Sequence, residues 1–440
     1  MISPQESKPN IAIVQDSLLG AYLMTKGTVA MPQGTFYNIS LSGERYDGTP
    51  LWNPKRIQTI RRVLRDFGKK TKAYTGYGLI SLILPYDFYY EKTNKANPDE
   101  PTVKIHRGVM YEGTLDKSIL GASHNSIIQV LHKEYGADVA ANFVDNIQFV
   151  TNAWLLYHGF SVGLEDCMMA SQDEAVTIED TLVQYYTKAQ GIEESTQNPG
   201  IREVRITATL GQAKDIGMRI AKEAMSEDNN FLDTVGAGSK GDFFNIAQLT
   251  GLLGQQILSQ QNSLGREHAA SQRVHPVLNH GKRTLPHYPF EGLEKWREYE
   301  SRGFVRHSFI HGLNPHEFFF HAMSGREGIC DTAMSTAKSG YIQRRIVKVC
   351  EDIQIQYDGT VRDITGKIYQ LVYGENGWDA SRTVKVQGKQ EICDISRMVT
   401  QLNSEYSLKK KEKEKKEKKK EVVKKPNKKK KKKLISQVAI

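Results

Sequence analysis

From Asn314 onward the chain offers a helix start and then no stop for an unusual distance. Asn314 is a good N-cap, Pro315 stands at the first helical position, and Glu317 falls at the third, an Asn version of the capping box. No proline follows until Pro426. A helix running to about Gln354 would have about 40 residues and span roughly 60 Å at ~1.5 Å per residue. The heptad seam of a coiled coil is missing, and the centre reads Thr332-Ala333-Met334-Ser335-Thr336-Ala337-Lys338-Ser339-Gly340. Gly325, Gly328 and Gly340 each cost about 1 kcal/mol relative to Ala inside a helix. Such a composition suits a helix that something must approach closely, or one that must bend.

The rest of the chain sets the context. Its 440 residues leave room for two to four domains at ~100–200 residues each. The net charge of +10 is segregated: residues 409–433 hold 17 Lys and 4 Glu, leaving 43 basic against 46 acidic residues elsewhere. A uniformly basic, histone-like protein is therefore excluded, and nucleic-acid contact by the body must rest on local patches. The Lys-rich run cannot bury apolar surface and reads as a disordered arm, with polyanion binding or nuclear targeting as its functional alternatives. No stretch approaches the ~18 uncharged apolar residues of a membrane helix. Met1 to Ser7 lacks the basic and apolar regions of a secretory signal, so neither a membrane-spanning nor a secreted protein is expected. Cys167, Cys330, Cys350 and Cys393 form no C-x-x-C, which argues against a zinc ribbon or a disulfide scaffold and for a reducing compartment.

Along the chain, Ile11 to Val14 and Leu79 to Leu84 read as strands. Asp145 to Tyr157 reads as a helix capped by Asp145 and stopped at His158-Gly159, with Ile147, Val150, Ala153, Trp154 and Tyr157 on one face. Residues 175–226 suggest two antiparallel helices broken at Asn198-Pro199-Gly200, with Ile206, Leu210, Ala213, Ile220 and Ala224 at helical spacing and a stop at Asp228-Asn229-Asn230. Residues 259–289 are polar and read as a loop, 368–373 as a strand and Gly374 to Gly377 as a turn; beyond Arg382 the pattern weakens.

Two motifs invite functional readings. Gly236-Ala237-Gly238-Ser239-Lys240-Gly241 matches G-x-G-x-x-G, but no strand pattern precedes it and glutamines stand where the ribose-binding acid should be. A Gly-rich turn before a helix from about Phe243 to Gln256, with Lys240 exposed near its start, is the better reading. His268, His275, His280 and His287 are loosely spaced in the polar loop without matching Cys or carboxylates, a poor ligand set. His316 and His321 fall on different helix faces and read as packing or surface residues.

Residues 312–328, Gly-Leu-Asn-Pro-His-Glu-Phe-Phe-Phe-His-Ala-Met-Ser-Gly-Arg-Glu-Gly, with Asp331-Thr332-Ala333, Thr336-Ala337 and Gly340-Tyr341-Ile342-Gln343-Arg344-Arg345, resemble the bridge helix of the largest subunit of multisubunit DNA-directed RNA polymerases, and the match is close to the eukaryotic RNA polymerase II type. Other stretches agree in family order. Ile13-Val14-Gln15-Asp16 is similar to the start of the pore region, and Trp154-Leu155-Leu156 with Gly159-Phe160-Ser161 to its end. Gly238 to Gly241, Asn245-Ile246-Ala247-Gln248 and Gly254-Gln255-Gln256 resemble the funnel, and Arg283 to His287 and Tyr373-Gly374-Glu375 also fit. The resemblance covers about residues 8–382.

The resemblance implies an α+β multidomain chain: a mixed α/β pore domain at 1–170, a helical-hairpin funnel at 171–308, the bridge helix and start of the cleft at 309–385, and a low-complexity basic tail at 386–440. It implies that Thr336, Ala337, Gly340, Tyr341 and Arg344 lie at the template, and Ser239, Lys240, Gln248, Gln255 and Gln256 along the secondary channel. The family's magnesium-binding Asn-Ala-Asp-Phe-Asp-Gly-Asp motif does not occur in these residues, and nothing matches its trigger loop. No catalytic or metal-ligating residue is therefore expected here, and Mg2+ is expected in the assembled enzyme only. The implied partners are the remaining pieces of the largest subunit, the second-largest subunit, template DNA, RNA and nucleoside triphosphates. A split gene, as in a large DNA virus, would yield such a piece, working in the nucleus or a cytoplasmic viral factory. The reading from another class is a repurposed nucleic-acid-binding protein that keeps the fold without the activity.

Overall fold

The computed structural model describes residues 1–406 apart from 28, 46, 68–72, 94–100, 169–172, 224, 226–227, 260–270, 274–294, 387 and 404–405. The four spaced histidines from His268 to His287, the segment Arg283 to His287, and the Lys-rich run lie outside the described residues.

The first body is built from α1 (Gln15–Thr25), α2 (Gln33–Ser40), α3 (Pro54–Asp66), α4 (Gly76–Ile83), α5 (Lys117–Leu120), α6 (Ile127–Tyr135) and α7 (Ala137–His158). A three-stranded antiparallel sheet of β1 (Tyr90–Lys92), β2 (Val103–His106) and β3 (Val109–Glu112) lies against them. Its core runs from Ile13 through Ile60, Ile80, Val109 and Ile147 to Trp154. The run Leu79 to Leu84, read as a strand, is helical up to Ile83, with Leu84 extended after it: Thr75 caps α4, and every residue of that helix is buried. An apolar run buried on all sides carries neither a helical nor a strand period. Ile11 to Val14 forms no strand either; it is an extended lead into α1, tied by the Ile13 N–H to the Leu120 carbonyl at 3.3 Å. Helix α7 begins at Ala137 rather than Asp145, because Gly136 turns the chain at φ +92° and Ala140 and Phe143 already continue the buried face. Its stop at Gly159 is as expected.

The helical pair is α8 (Asp173–Ser195) and α9 (Pro199–Glu223), joined at Asn198, whose side chain accepts the Gly200 N–H at 3.0 Å. Ile178, Leu182, Tyr185 and Ala189 of α8 meet Ile206, Leu210 and Ala213 of α9 in a second core that includes Tyr299 and Phe304. Next come α10 (Asn230–Ala237) and α11 (Phe243–Ile246), the latter widening into a π-turn over Ala247–Gly251. The helix expected to reach Gln256 stops there, because Gly254 turns at φ +79° and the backbone enters β4 (Gly254–Gln255). Strand β5 (Ile257–Ser259) pairs with β6 (Ser271–Arg273). After α12 (Lys295–Ser301), β7 (Phe304–Val305) pairs with β4.

The long helix is α13 (Pro315–Cys350), four residues short of the expected end at Gln354. It leads into a small sheet of β8 (Gln354–Ile355), β9 (Val361–Arg362) and β10 (Ile368–Gln370). The strand expected to reach residue 373 ends at Gln370 and is followed by a tight turn with Gly374 at φ +60°. Residues 388–403, assigned from sequence to the basic tail, are structured instead. β11 (Val384–Val386) and β12 (Lys389–Glu391) form a hairpin, and α14 (395–403) follows. Both return to the first body: Gln390 donates to Ser7 Oγ at 2.8 Å and Lys133 to the Ile392 carbonyl at 2.7 Å. The sequence reading passed over the helical spacing of Ile395, Met398, Val399 and Leu402, which lies between a short polar hairpin and the Lys-rich run. Among the described residues no helix is long and apolar enough to cross a membrane.

Candidate functional site

Helix α13 is anchored at one end only. Glu317 and Phe320 are buried at its base, whereas every residue from 328 to 352 is exposed. Roughly 35 Å of helix therefore projects from the body, at ~1.5 Å per residue. Residues 332–350 carry Lys338, Arg344, Arg345 and Lys348 and no acid, so the middle of the projecting part is locally basic, with Asp331 before it and Glu351 and Asp352 after it. It is also apolar along much of its surface, where Ile329, Met334, Tyr341, Ile342, Ile346 and Val349 are exposed. An exposed helix with this mixture of cations and large apolar side chains has the composition of an interaction surface.

Ala337, Gly340, Tyr341 and Arg344 share one stripe of this helix by their three- and four-residue spacing. The Thr336 hydroxyl is turned back to the Thr332 carbonyl at 2.8 Å, beside that stripe. Arg345 lies 5.7 Å from the Tyr341 ring centre. Among the described residues nothing stands within 4 Å of a Cβ built at Gly325, Gly328 or Gly340, so none of them is the close neighbour for which their small size leaves room.

The base of α13 is held by a carboxyl group. Glu317 Oε2 accepts the Asn314 N–H at 3.0 Å, completing the expected contact within the cap. Glu317 Oε1 also accepts the Arg306 N–H at 3.2 Å, and His307 Nδ1 lies 2.9 Å from both carboxylate oxygens. Beside this cluster, burial pushes the Glu300 carboxyl up to about 7, with Glu317 adding repulsion and Arg306, 4.0 Å away, opposing the rise. The sequence reading missed His307 and Glu300. Their only signal was the position of β7, which brings residues 10 and 17 places before Glu317 to its side.

The residues expected along the channel divide. Gln256 Oε1 lies 3.3 Å from His321 Nδ1, which joins the end of β4 to α13. Burial lowers the His321 pKa, and its ring packs edge-on against Phe309 at 5.6 Å. Gln255 is buried and spends its amide on the Gln256 and Arg302 carbonyls, both at 2.9 Å, so it holds β4 to β7. Ser239 closes the end of α10 by donating to the Thr234 carbonyl at 3.0 Å, Lys240 is exposed, and Gln248 is half-buried. Helix α10 precedes the Gly-rich turn, and Gly238 serves as its left-handed C-cap, so the turn lacks the strand a dinucleotide fold requires. Among the described residues no three His, Cys, Asp or Glu side chains converge to hold a metal ion.

The parts follow in chain order as an α/β body, a helical hairpin and one projecting helix, and this is also the order in which three family models divide the chain. RNA polymerase Rpb1 domain 3 matches residues 1–167, domain 4 matches 184–305, and domain 5 matches 312–405. The chain is a partial member of the RNA polymerase II-like largest-subunit family. It is 45% identical over 429 residues to the probable DNA-directed RNA polymerase II subunit RPB1 homolog of Invertebrate iridescent virus 6, a match covering 92% of this chain and 39% of that protein. It is 33% identical over 396 residues to each of the DNA-directed RNA polymerase II subunits RPB1-A and RPB1-B of Trypanosoma brucei brucei, covering 87% of this chain and 21% of each. The chain thus spans well under half the length of these relatives.

Proposed function

We propose that this chain supplies the pore, funnel and bridge helix of the catalytic subunit of a DNA-directed RNA polymerase. In this reading residues 1–170 form the pore, 171–308 the funnel and 309–385 the bridge helix with the start of the cleft. The observation that carries it is α13 itself, anchored at its base and exposed from 328 to 352, with small residues and Arg344 on a basic surface. Ala337 and Gly340 leave room for the template base at the insertion position, Tyr341 flanks it, and Arg344 reaches a backbone phosphate. Gln256, through His321, couples the channel wall to the base of the helix. Lys240 and Gln248 line the path of the incoming nucleoside triphosphate.

The chain's part in nucleotidyl transfer is positioning, which supplies rate by holding reactants in line. Among the described residues no three His, Cys, Asp or Glu side chains converge as ligands for the magnesium that such polymerases use. The remaining parts of the largest subunit and the second-largest subunit would complete the site around template DNA and RNA. The enzyme would act in the nucleus or a cytoplasmic viral factory.

The test is Ala337→Trp in an assembled enzyme, which places a large ring where the base must sit. We expect single-nucleotide addition on a primed scaffold to fall at least about a hundredfold, with subunit assembly by gel filtration unchanged. Enlarging Ser335, roughly 150° around the helix from that stripe, should be milder. The 440-residue chain by itself should extend nothing. Normal addition by a well-assembled Ala337→Trp enzyme would remove the template contact.

A further inference from the structure

Helix α14 is mounted with its amphipathic faces reversed. Residues 395, 398, 399 and 402 fall within about 60° of one line at ~100° per residue, and they are Ile395, Met398, Val399 and Leu402. In a folded body such a stripe faces the core. Here all four side chains are 50–66% exposed. The opposite edge faces inward instead, through Arg397 and the half-buried Gln401. Arg397 donates to Glu134 of α6 at 2.7 Å and to the Tyr89 carbonyl at 3.0 Å. Asp394 caps the helix by accepting the Arg397 N–H at 3.0 Å. Ile392, just before it, is also exposed. A specific ion pair thus holds the apolar side outward.

We propose that α14 is a docking helix for another protein, one that presents an apolar helix-accepting groove with a carboxylate-rich rim. The spacing i, i+3, i+4, i+7 is that of a helix laid into a groove. The charge of the chain points to the rim: directly after α14 come the 17 Lys and 4 Glu of residues 409–433, a net of +13 that an acidic border would complement. Other occupants fit less well. Two copies of this chain docked stripe to stripe would bring two such runs together. A helix lying on an anionic membrane carries Lys and Arg along its polar face, whereas α14 has only Arg397 there, already engaged with the body. The stripe offers nucleic acid no donor. This inference stands apart from the polymerase reading, since it rests on the exposed stripe of α14 and not on α13.

The test uses the full chain in the cells that make it. A photocrosslinking amino acid replaces Val399 on the stripe or Thr400, which lies about 140° from Ile395. Irradiation should join position 399 to one polypeptide other than this chain, at a peptide whose neighbours are apolar and bordered by Asp or Glu. The yield should exceed that from position 400 by about tenfold or more, and Leu402→Asp should lower it by a similar factor. Because Leu402 is exposed, that variant should melt as the parent does, and Ile395→Gln provides a second, uncharged check. An adduct to this same chain, to lipid or to nucleic acid would overturn the proposal. So would equal yields at the two positions, a linked surface without carboxylates, or no adduct at all.

Discussion

Asn314, Pro315 and Glu317 were readable as a helix start because the contact they make is local: Glu317 accepts the Asn314 N–H three residues away. The same carboxylate's other partners, His307 and the Arg306 N–H, arrive from a separate strand, and no short-range pattern announces them. Glu300 belongs to this second group. Its carboxyl is held up to about 7 mainly by burial, so the folded state keeps its proton where the unfolded chain has lost it. The sign follows: Glu300 contributes stability below its unfolded value near 4.5, and that contribution is lost as pH rises through about 7. Glu300→Gln should remove this loss. The melting temperature of the variant minus that of the parent should grow between pH 5 and pH 8, and a difference flat across that range would show that Glu300 is not protonated in the fold. The paired glutamines make the same point. Both positions were picked out as channel residues, but only packing separates Gln256, which meets His321, from Gln255, which is committed to the Arg302 carbonyl.

At the level of elements, periodic segments were legible and uniform ones were not. The α8–α9 hairpin followed from its 3.6-residue spacing and from Asn198, while α4 was taken for a strand because its apolar run has no polar face to set a period. Its glycines explain how a helix fits there. A Cβ at Gly78 would lie 1.9 Å from the Ala73 carbonyl oxygen, and one at Gly76 2.0 Å from that of Met24. Gly78→Ala should therefore destabilise the first body by about 2–3 kcal/mol, read from chemical denaturation. Gly340→Ala on α13 should behave oppositely, since nothing lies within 4 Å of the added carbon. It should slow amide exchange along the middle of that helix by up to about fivefold, ~1 kcal/mol. If a template base packs there in an assembled enzyme, the same substitution should also slow nucleotide addition. A Gly340→Ala variant that destabilises the isolated chain would contradict the exposed placement of that residue.

At the scale of the whole molecule, the basic run and the body should separate cleanly. Deleting residues 409–440 should leave the cooperative melt unchanged, because the contacts of β11, β12 and α14 with Ser7, Tyr89, Lys133 and Glu134 end before it. The deletion should abolish weak, sequence-independent binding to duplex DNA whose log affinity falls with log salt by about 0.9 per phosphate neutralised. Loss of the melt on this deletion, or retention of the binding, would show the division to be wrong. A cut at residue 383 should differ, since it removes the hairpin and helix that close over the N-terminal segment. The sequence by itself determined the long α13 with its cap, the helical hairpin, the segregation of charge and the family, because each is written in local spacing or in ordered motifs. Only the tertiary structure decided that α4 is a helix, that Glu317 gathers His307 beside Glu300, that α13 is exposed from residue 328 onward, and that α14 turns its apolar side outward. Each of these depends on which distant segments meet, and a buried run, a shared carboxylate or an inverted helix face carries no mark of that in the residues alongside it.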